Sequence, residues 1–210
     1  MRRAGGSKRT SRAGRQPLGQ GDCEHWRATG VGQPTNTATS VALVVGGLWV
    51  MRRARAVDPA RRWRPLGYGG LLAAAGLGSA AYHGLGGTPA ERAHDWSINL
   101  LVVATVLGEA ERALAHRSPR LDAPRGPGRD RRPRGPAAVA LTAGLVAPIA
   151  YALGRTSAST CRPTSKWQWH GLWHVLSAVA GTAWAEWTQV LPHVAHVTTG
   201  SSSQDVQGPT

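Results

Sequence analysis

Arginine-dense stretches alternate along this chain with apolar segments that carry almost no charge, and that alternation restricts what the chain can fold into. Arginine gathers near the N-terminus (Arg2, Arg3, Arg9, Arg12, Arg15), in "RRARAVDPARRWR" at 52–64 and in "RSPRLDAPRGPGRDRRPRGP" at 117–136. Around and between these blocks lie five apolar segments, near 36–51, 66–86, 95–114, 136–154 and 168–190. Each approaches the ~20 residues that a helix needs to cross ~30 Å of hydrocarbon, the first being the shortest. A helix of a soluble bundle carries a polar stripe at 3.6-residue spacing. "VALVVGGLWV" and "PAAVALTAGLVAPIAYALG" have none. The pattern predicts an all-α protein, a polytopic transmembrane bundle of about five helices occupying residues 21–197. Disordered tails are expected at 1–20 and 198–210, and an unstructured Arg/Pro linker at 117–135.

The net charge of +14 would also suit a nucleic-acid binder. No basic run is interleaved with stacking aromatics, however, and the charge is confined to the loops and the tail, so no nucleic-acid partner is expected. Nor does the N-terminus resemble a cleavable signal peptide, because its basic residues lead into polar sequence rather than an apolar core. Short cytoplasmic loops collect Lys and Arg. The two basic loops fall on one side by parity, which predicts a multi-pass protein of the cell membrane with its N-terminus outside and its C-terminus in the cytoplasm. Both cysteines, Cys23 and Cys161, then lie outside, where disulfides persist. They are either two unrelated thiols or a bridge from the chain's start to its last helix.

"GLGSAAYHGLGGTPAERAHDWS" at 76–97 is the puzzle of the apolar portion. By this topology His83 closes the second span on the outer side, Asp95 opens the third, and His170 and His174 open the fifth, all at similar depth. Ser79 stands one turn before His83, as His170 stands one turn before His174, so each pair shares a helix face. Ionisable side chains inside a membrane are costly and face one another or a wet cavity. Three neutral imidazoles suit Zn²⁺ and leave a fourth position for water. The pair "HGLWH" lacks the glutamate of HExxH metalloproteases, so Asp95 is the candidate base and Ser79 a candidate donor to a developing oxyanion. A satisfied cluster of core histidines, with Ser79 there for helix packing, is the plainer alternative.

At these residues the chain resembles a known family. "GLGSAAYHG", then "HDWS", then "WHGLWHVLSA" are similar to the Ser-x-x-x-His, Asp and His-x-x-x-His signatures of the CREST superfamily of membrane hydrolases. Within it, Cys23 and Glu24, followed by Asn36, Thr37 and Ser40, resemble the N-terminal region of the alkaline ceramidases. The resemblance covers residues 22–51, 66–105 and 161–187. It implies a zinc-dependent intramembrane amidase with ligands His83, His170 and His174, with Asp95 and Ser79 assisting cleavage of a lipid amide such as ceramide, and with a Cys23–Cys161 disulfide. It also implies a calcium site among N-terminal acids. Asp22 and Glu24 are present for that purpose, while Gln33 stands where a further acid is expected. The family's bundle has seven helices, so five would make a reduced version, open to lipid on one flank or closed by a homo-oligomer.

The competing function is a non-enzymatic membrane receptor or scaffold in which zinc merely staples three helices. A fourth protein ligand, His94 or Cys161, would favour it, because structural zinc sites close their shell. The remaining conspicuous residues have simpler readings. Trp63, Trp96, Trp167 and Trp169 mark helix ends near the interface. Gly76, Ala80 and Gly84 form a small-residue stripe for close helix approach, and Trp173 is expected to pack. Glu109, Glu111 and Glu186 fall near inner ends, His25, His116, His193 and His196 in loops or tails, and His94 is either a supporting partner of the site or an exposed loop histidine.

Overall fold

The computed structural model describes residues 21–117 and 134–190, and among them all regular structure is helical. Five helices form: α1 (Pro34–Ala54), α2 (Trp63–Gly84), α3 (Gly87–Arg117), α4 (Arg134–Leu153) and α5 (Trp169–Ala185). A π-helical turn, Glu186–Val190, extends α5. Each apolar segment read from the sequence lies mainly on one of these helices. The expected tails at 1–20 and 198–210, and residues 118–133 of the expected linker, lie outside the described residues.

One boundary differs. Residues 87–94, expected as an external loop, are the first turns of α3, so only Leu85 and Gly86 separate it from α2. Gly86 and Gly87 make the reversal with φ of 68° and 84°, a left-handed conformation open to glycine at no steric cost. Pro89 then sits in the first turn, where its missing N–H is no loss, and Ala-Glu-Arg-Ala are good helix formers. His94 and Asp95 are consequently helical residues.

Over Gly135–Leu153, α4 is long and apolar enough to cross a membrane, and it alone is so among the described residues. The other helices carry polar side chains that dilute their apolar character, such as Asn36, Thr37, Ser40, Arg52 and Arg53 on α1 and His170 and His174 on α5. Many of those groups face inward. Asn36, Ser40, Ser79, His83, His170 and His174 are buried, whereas Val45, Leu48, Val103, Val106, Leu141, Leu145 and Ile149 are exposed.

In space the helices pack in the order α3, α2, α1, α5, α4, and α2 also touches α5. The apolar core lies between α1, α2 and α5, where Leu43, Val50, Tyr68, Leu72, Ala178, Trp184 and Ala185 are buried together. Its far end is closed by polar pairs. Trp184 donates its indole N–H to Glu109, Arg53 meets Glu186 at 3.1 Å, and Arg64 meets Glu111 at 2.9 Å. Thus the three inner-end glutamates serve inter-helix pairs rather than the site.

A strap at 21–25 runs across the opposite end. Cys23 N–H donates to the Gly154 carbonyl at 2.8 Å, Thr156 N–H to Gly21 at 3.0 Å, and His25 N–H to Pro163 at 3.0 Å. A Cys23–Cys161 disulfide clamps it, with the Cα atoms 5.4 Å apart.

Backbone contact between α1 and α2 is made possible by glycine. A Cβ added at Gly47 would strike the Gly69 carbonyl and lie 2.6 Å from the Ala73 amide nitrogen. At Gly76 it would lie 2.7 Å from the Val44 amide nitrogen. Helix backbone at both positions has little room to yield, so overpacking costs stability, ~1–3 kcal/mol or more. Gly47→Val should therefore lower the midpoint of denaturant unfolding of the purified protein. Gly70→Ala, where an added Cβ meets nothing within 4 Å, should not. Equal midpoints for Gly47→Val and the unmodified chain would contradict the α1–α2 interface.

Candidate metal centre

His83 on α2 and His170 and His174 on α5 come together in the half of the bundle beneath the strap, with one ligand nitrogen of each within 4.8 Å of the others. All three are buried, His83 and His174 completely. Their ring centroids are 4.8–5.1 Å apart, packed edge-on or tilted rather than stacked.

The hydrogen bonds around the rings decide which nitrogens face inward. Gln33 donates its Nε2–H to the Glu24 carbonyl at 2.7 Å, which leaves Gln33 Oε1 as an acceptor 2.6 Å from His83 Nδ1. The proton of His83 is therefore on Nδ1. Thr39 donates its hydroxyl to the Thr35 carbonyl at 2.9 Å, and Ser40 donates to the Asn36 carbonyl at 2.8 Å. Both hydroxyl oxygens can then only accept from His174 Nδ1, which lies 3.2 Å from Thr39 and 3.4 Å from Ser40. His170 Nδ1 faces the Asp22 carboxylate at 3.3 Å. With the Nδ1–H of His83 and of His174 directed outward, their Nε2 lone pairs are left for the centre, and His170 Nδ1, which makes no hydrogen bond, lies toward the Asp22 carboxylate.

None of the three Nε2 atoms has a hydrogen-bond partner, and neither has the hydroxyl of Ser79, one turn before His83 on α2. Leaving a buried polar atom unpaired costs ~1–3 kcal/mol. Four such atoms in one place would consume much of the ~5–15 kcal/mol by which a domain is stable. One cation accepting three imidazole lone pairs removes most of that cost. Neutral imidazole is a ligand for several transition-metal cations, zinc among them, and three protein ligands leave a fourth position open.

The other candidate residues occupy different positions from those expected. Asp95 is not packed against the triad. Its side chain is 61% exposed and bonds His94 Nδ1 at 2.8 Å. The α3 register responsible also makes His94 part of the site's flank rather than a loop residue. Its ring stacks on Tyr82 at 4.7 Å and stands edge-on to His83 at 6.3 Å. The buried carboxylate beside the histidines is instead Asp22, whose second oxygen is 4.0 Å from His83 Nδ1 and whose first meets Arg155 at 2.8 Å. Burial pushes its carboxyl up to about 6, against the pull of Arg155 and His94.

Calcium finds no cage here. Both carboxylate oxygens of Glu24 accept from the first turn of α1, from Thr35 N–H and Asn36 N–H at 2.8 Å each, which caps the positive end of the helix. Asp22 is held by Arg155, and among the described residues no three acidic groups converge. Trp173 packs as expected, 5.0 Å from the His170 ring and 5.1 Å from that of His174.

The partners missed by sequence reasoning are Gln33, Thr39, Ser40, Asp22 and Arg155. A signal existed for part of the set. Asn36 and Ser40 are polar at i, i+4 spacing on the face of α1 that continues through Leu43, Gly47 and Val50, which is a core face.

The chain matches no protein-family model, no curated protein and no solved structure.

Metal analysis of the purified chain should give about one transition-metal ion per molecule, and His83→Ala should lose it, because two imidazoles alone make a weak site. Metal absent from the unmodified chain, or retained in full by His83→Ala, would contradict a metal centre at the triad.

Proposed function

We propose that this chain is a multi-pass membrane hydrolase that uses zinc to cleave an amide bond in a lipid, in the manner of the CREST enzymes it resembles. The observation that carries the reading is the set of three Nε2 atoms and one serine hydroxyl, all buried and all without a protein partner. Zinc bound there supplies a Lewis acid and lowers the pKa of water to ~7.

The competing structural role needs a fourth protein ligand, and neither candidate serves. Cys161 is consumed in the disulfide with Cys23. His94 binds Asp95 through Nδ1 and stands 6.3 Å from the His83 ring. An open coordination position favours chemistry over stapling.

Each chain residue has a task in this reading. His83, His170 and His174 hold the metal. Ser79, with its hydroxyl free, donates to the oxyanion that develops on the substrate carbonyl. His94 is the member of the His94–Asp95 pair on the flank of the site and would relay the proton from attacking water and return one to the leaving amine, with the exposed Asp95 holding its Nδ1 side. The departing product would be an amine and the other a fatty acid.

Placement in a membrane is supported by the reversal of polarity across the helices. Apolar side chains cover the outside of α1, α3 and α4, while imidazoles, hydroxyls and an amide are sequestered inside. The basic loop between α1 and α2 supports a reading with that end of the bundle in the cytoplasm and the metal centre at the outer face.

Asp95→Asn should retain zinc and lose turnover by ~10²-fold or more, as read by hydrolysis of a fluorescent long-chain N-acyl lipid in micelles. Unchanged turnover would remove Asp95 from the reaction.

A further inference from the structure

The Asp22 carboxylate is not used by the chemistry above, yet it is buried against two of the three histidines. Its oxygens lie 3.3 Å from His170 Nδ1 and 4.0 Å from His83 Nδ1. His170 Nδ1 makes no hydrogen bond, and the Asp22 carboxylate is the charged group beside it, whereas His83 has Gln33 and His174 has Thr39 and Ser40. Asp22 is also tethered. Arg155 meets it at 2.8 Å, its backbone bridges to that of Arg155, and the next residue is Cys23 of the disulfide.

Metal-bound histidines commonly donate the other ring N–H to a carboxylate or carbonyl. That partner fixes the ring's orientation and makes the ligand nitrogen more basic. We propose that Asp22 is a positioning residue for the metal centre, and that the Cys23–Cys161 bridge, by holding it against His170, makes metal retention depend on the redox state of the chain. The inference rests on the metal reading of the histidine triad. Reduction of the bridge breaks the Sγ–Sγ bond and leaves two thiols, with two electrons and two protons delivered by a dithiol that becomes a disulfide itself. Released from Cys161, the strap keeps its backbone contacts to 154–156 and 163, the Arg155 pair and the Glu24 bonds to Gln33, Thr35 and Asn36, but loses its covalent tie to the segment that leads into His170. The Asp22 carboxylate is then no longer held beside His170 Nδ1.

The test uses the full chain in detergent micelles with the disulfide intact, titrating Zn²⁺ against a chromophoric chelator. Asp22→Asn keeps the shape but removes the charge, and should weaken zinc affinity ~10–100-fold. In the Co²⁺-loaded protein it should also shift the visible ligand-field bands, which a substitution remote from the ligands would not move. In parallel, the unmodified chain is reduced with a phosphine, which takes oxygen from water as it is oxidised. The thiols are then alkylated with iodoacetamide so that they cannot bind metal, and the protein is desalted. Its affinity should fall in the same direction, and Asp22→Asn should add little to the loss.

Zinc affinity within twofold of the unmodified chain, with an unchanged Co²⁺ spectrum, would overturn the role of Asp22 while leaving the triad intact. Should Asp22→Asn fail to fold, as judged by circular dichroism, the reduced and alkylated chain decides: unchanged affinity there overturns the proposal. An unmodified chain that binds no zinc removes the metal reading itself, and this inference with it.

Discussion

Three imidazole lone pairs directed at one another inside a helical bundle are the constraint on which the rest of this structure depends. Buried and unpaired, they would weaken the fold, and yet the surrounding hydrogen bonds hold them in that arrangement. Gln33 accepts from His83, and Thr39 and Ser40 accept from His174, each because its own proton is already donated to a carbonyl. The tautomers of His83 and His174 are thereby set by residues outside the triad.

Those residues are placed by a few backbone devices. Glu24 caps α1 from the strap, and the Gln33 amide donates to the His83 carbonyl at 2.8 Å, which ties the start of α1 to the end of α2. Gly47 and Gly76 let the two helices approach closely enough for that tie to form. The disulfide joins the same strap to the segment leading into α5, the helix that carries two of the histidines. Sequence-distant pieces are thus drawn onto one end of the bundle, while apolar packing of Leu43, Leu72 and Trp184 holds the other.

Much of this was legible in the sequence, for identifiable reasons. Apolar segments bounded by arginine runs yield helices whose number and approximate limits follow from length alone, and the small-residue stripe marks a contact face. His83, His170 and His174 could be grouped because parity brings their helix ends to one side. Less accessible was whatever depends on rotation and register. Extending α3 back to Gly87 turns Asp95 outward and brings His94 to the flank, and nothing in composition announces that the reversal needs only Leu85 and Gly86. Asp22 and Glu24 look alike on the page as neighbouring acids. One is a helix cap and the other a buried neighbour of imidazoles, a distinction created by the path of the strap.

The proposal that three imidazoles bind one zinc, with an open fourth position, is tested most directly by zinc K-edge X-ray absorption of the purified chain. The account predicts a shell of light N/O scatterers at ~2.0–2.1 Å with the outer-shell pattern of three imidazole rings. Sulfur at ~2.3 Å, or fewer than three imidazoles around the metal, would contradict it.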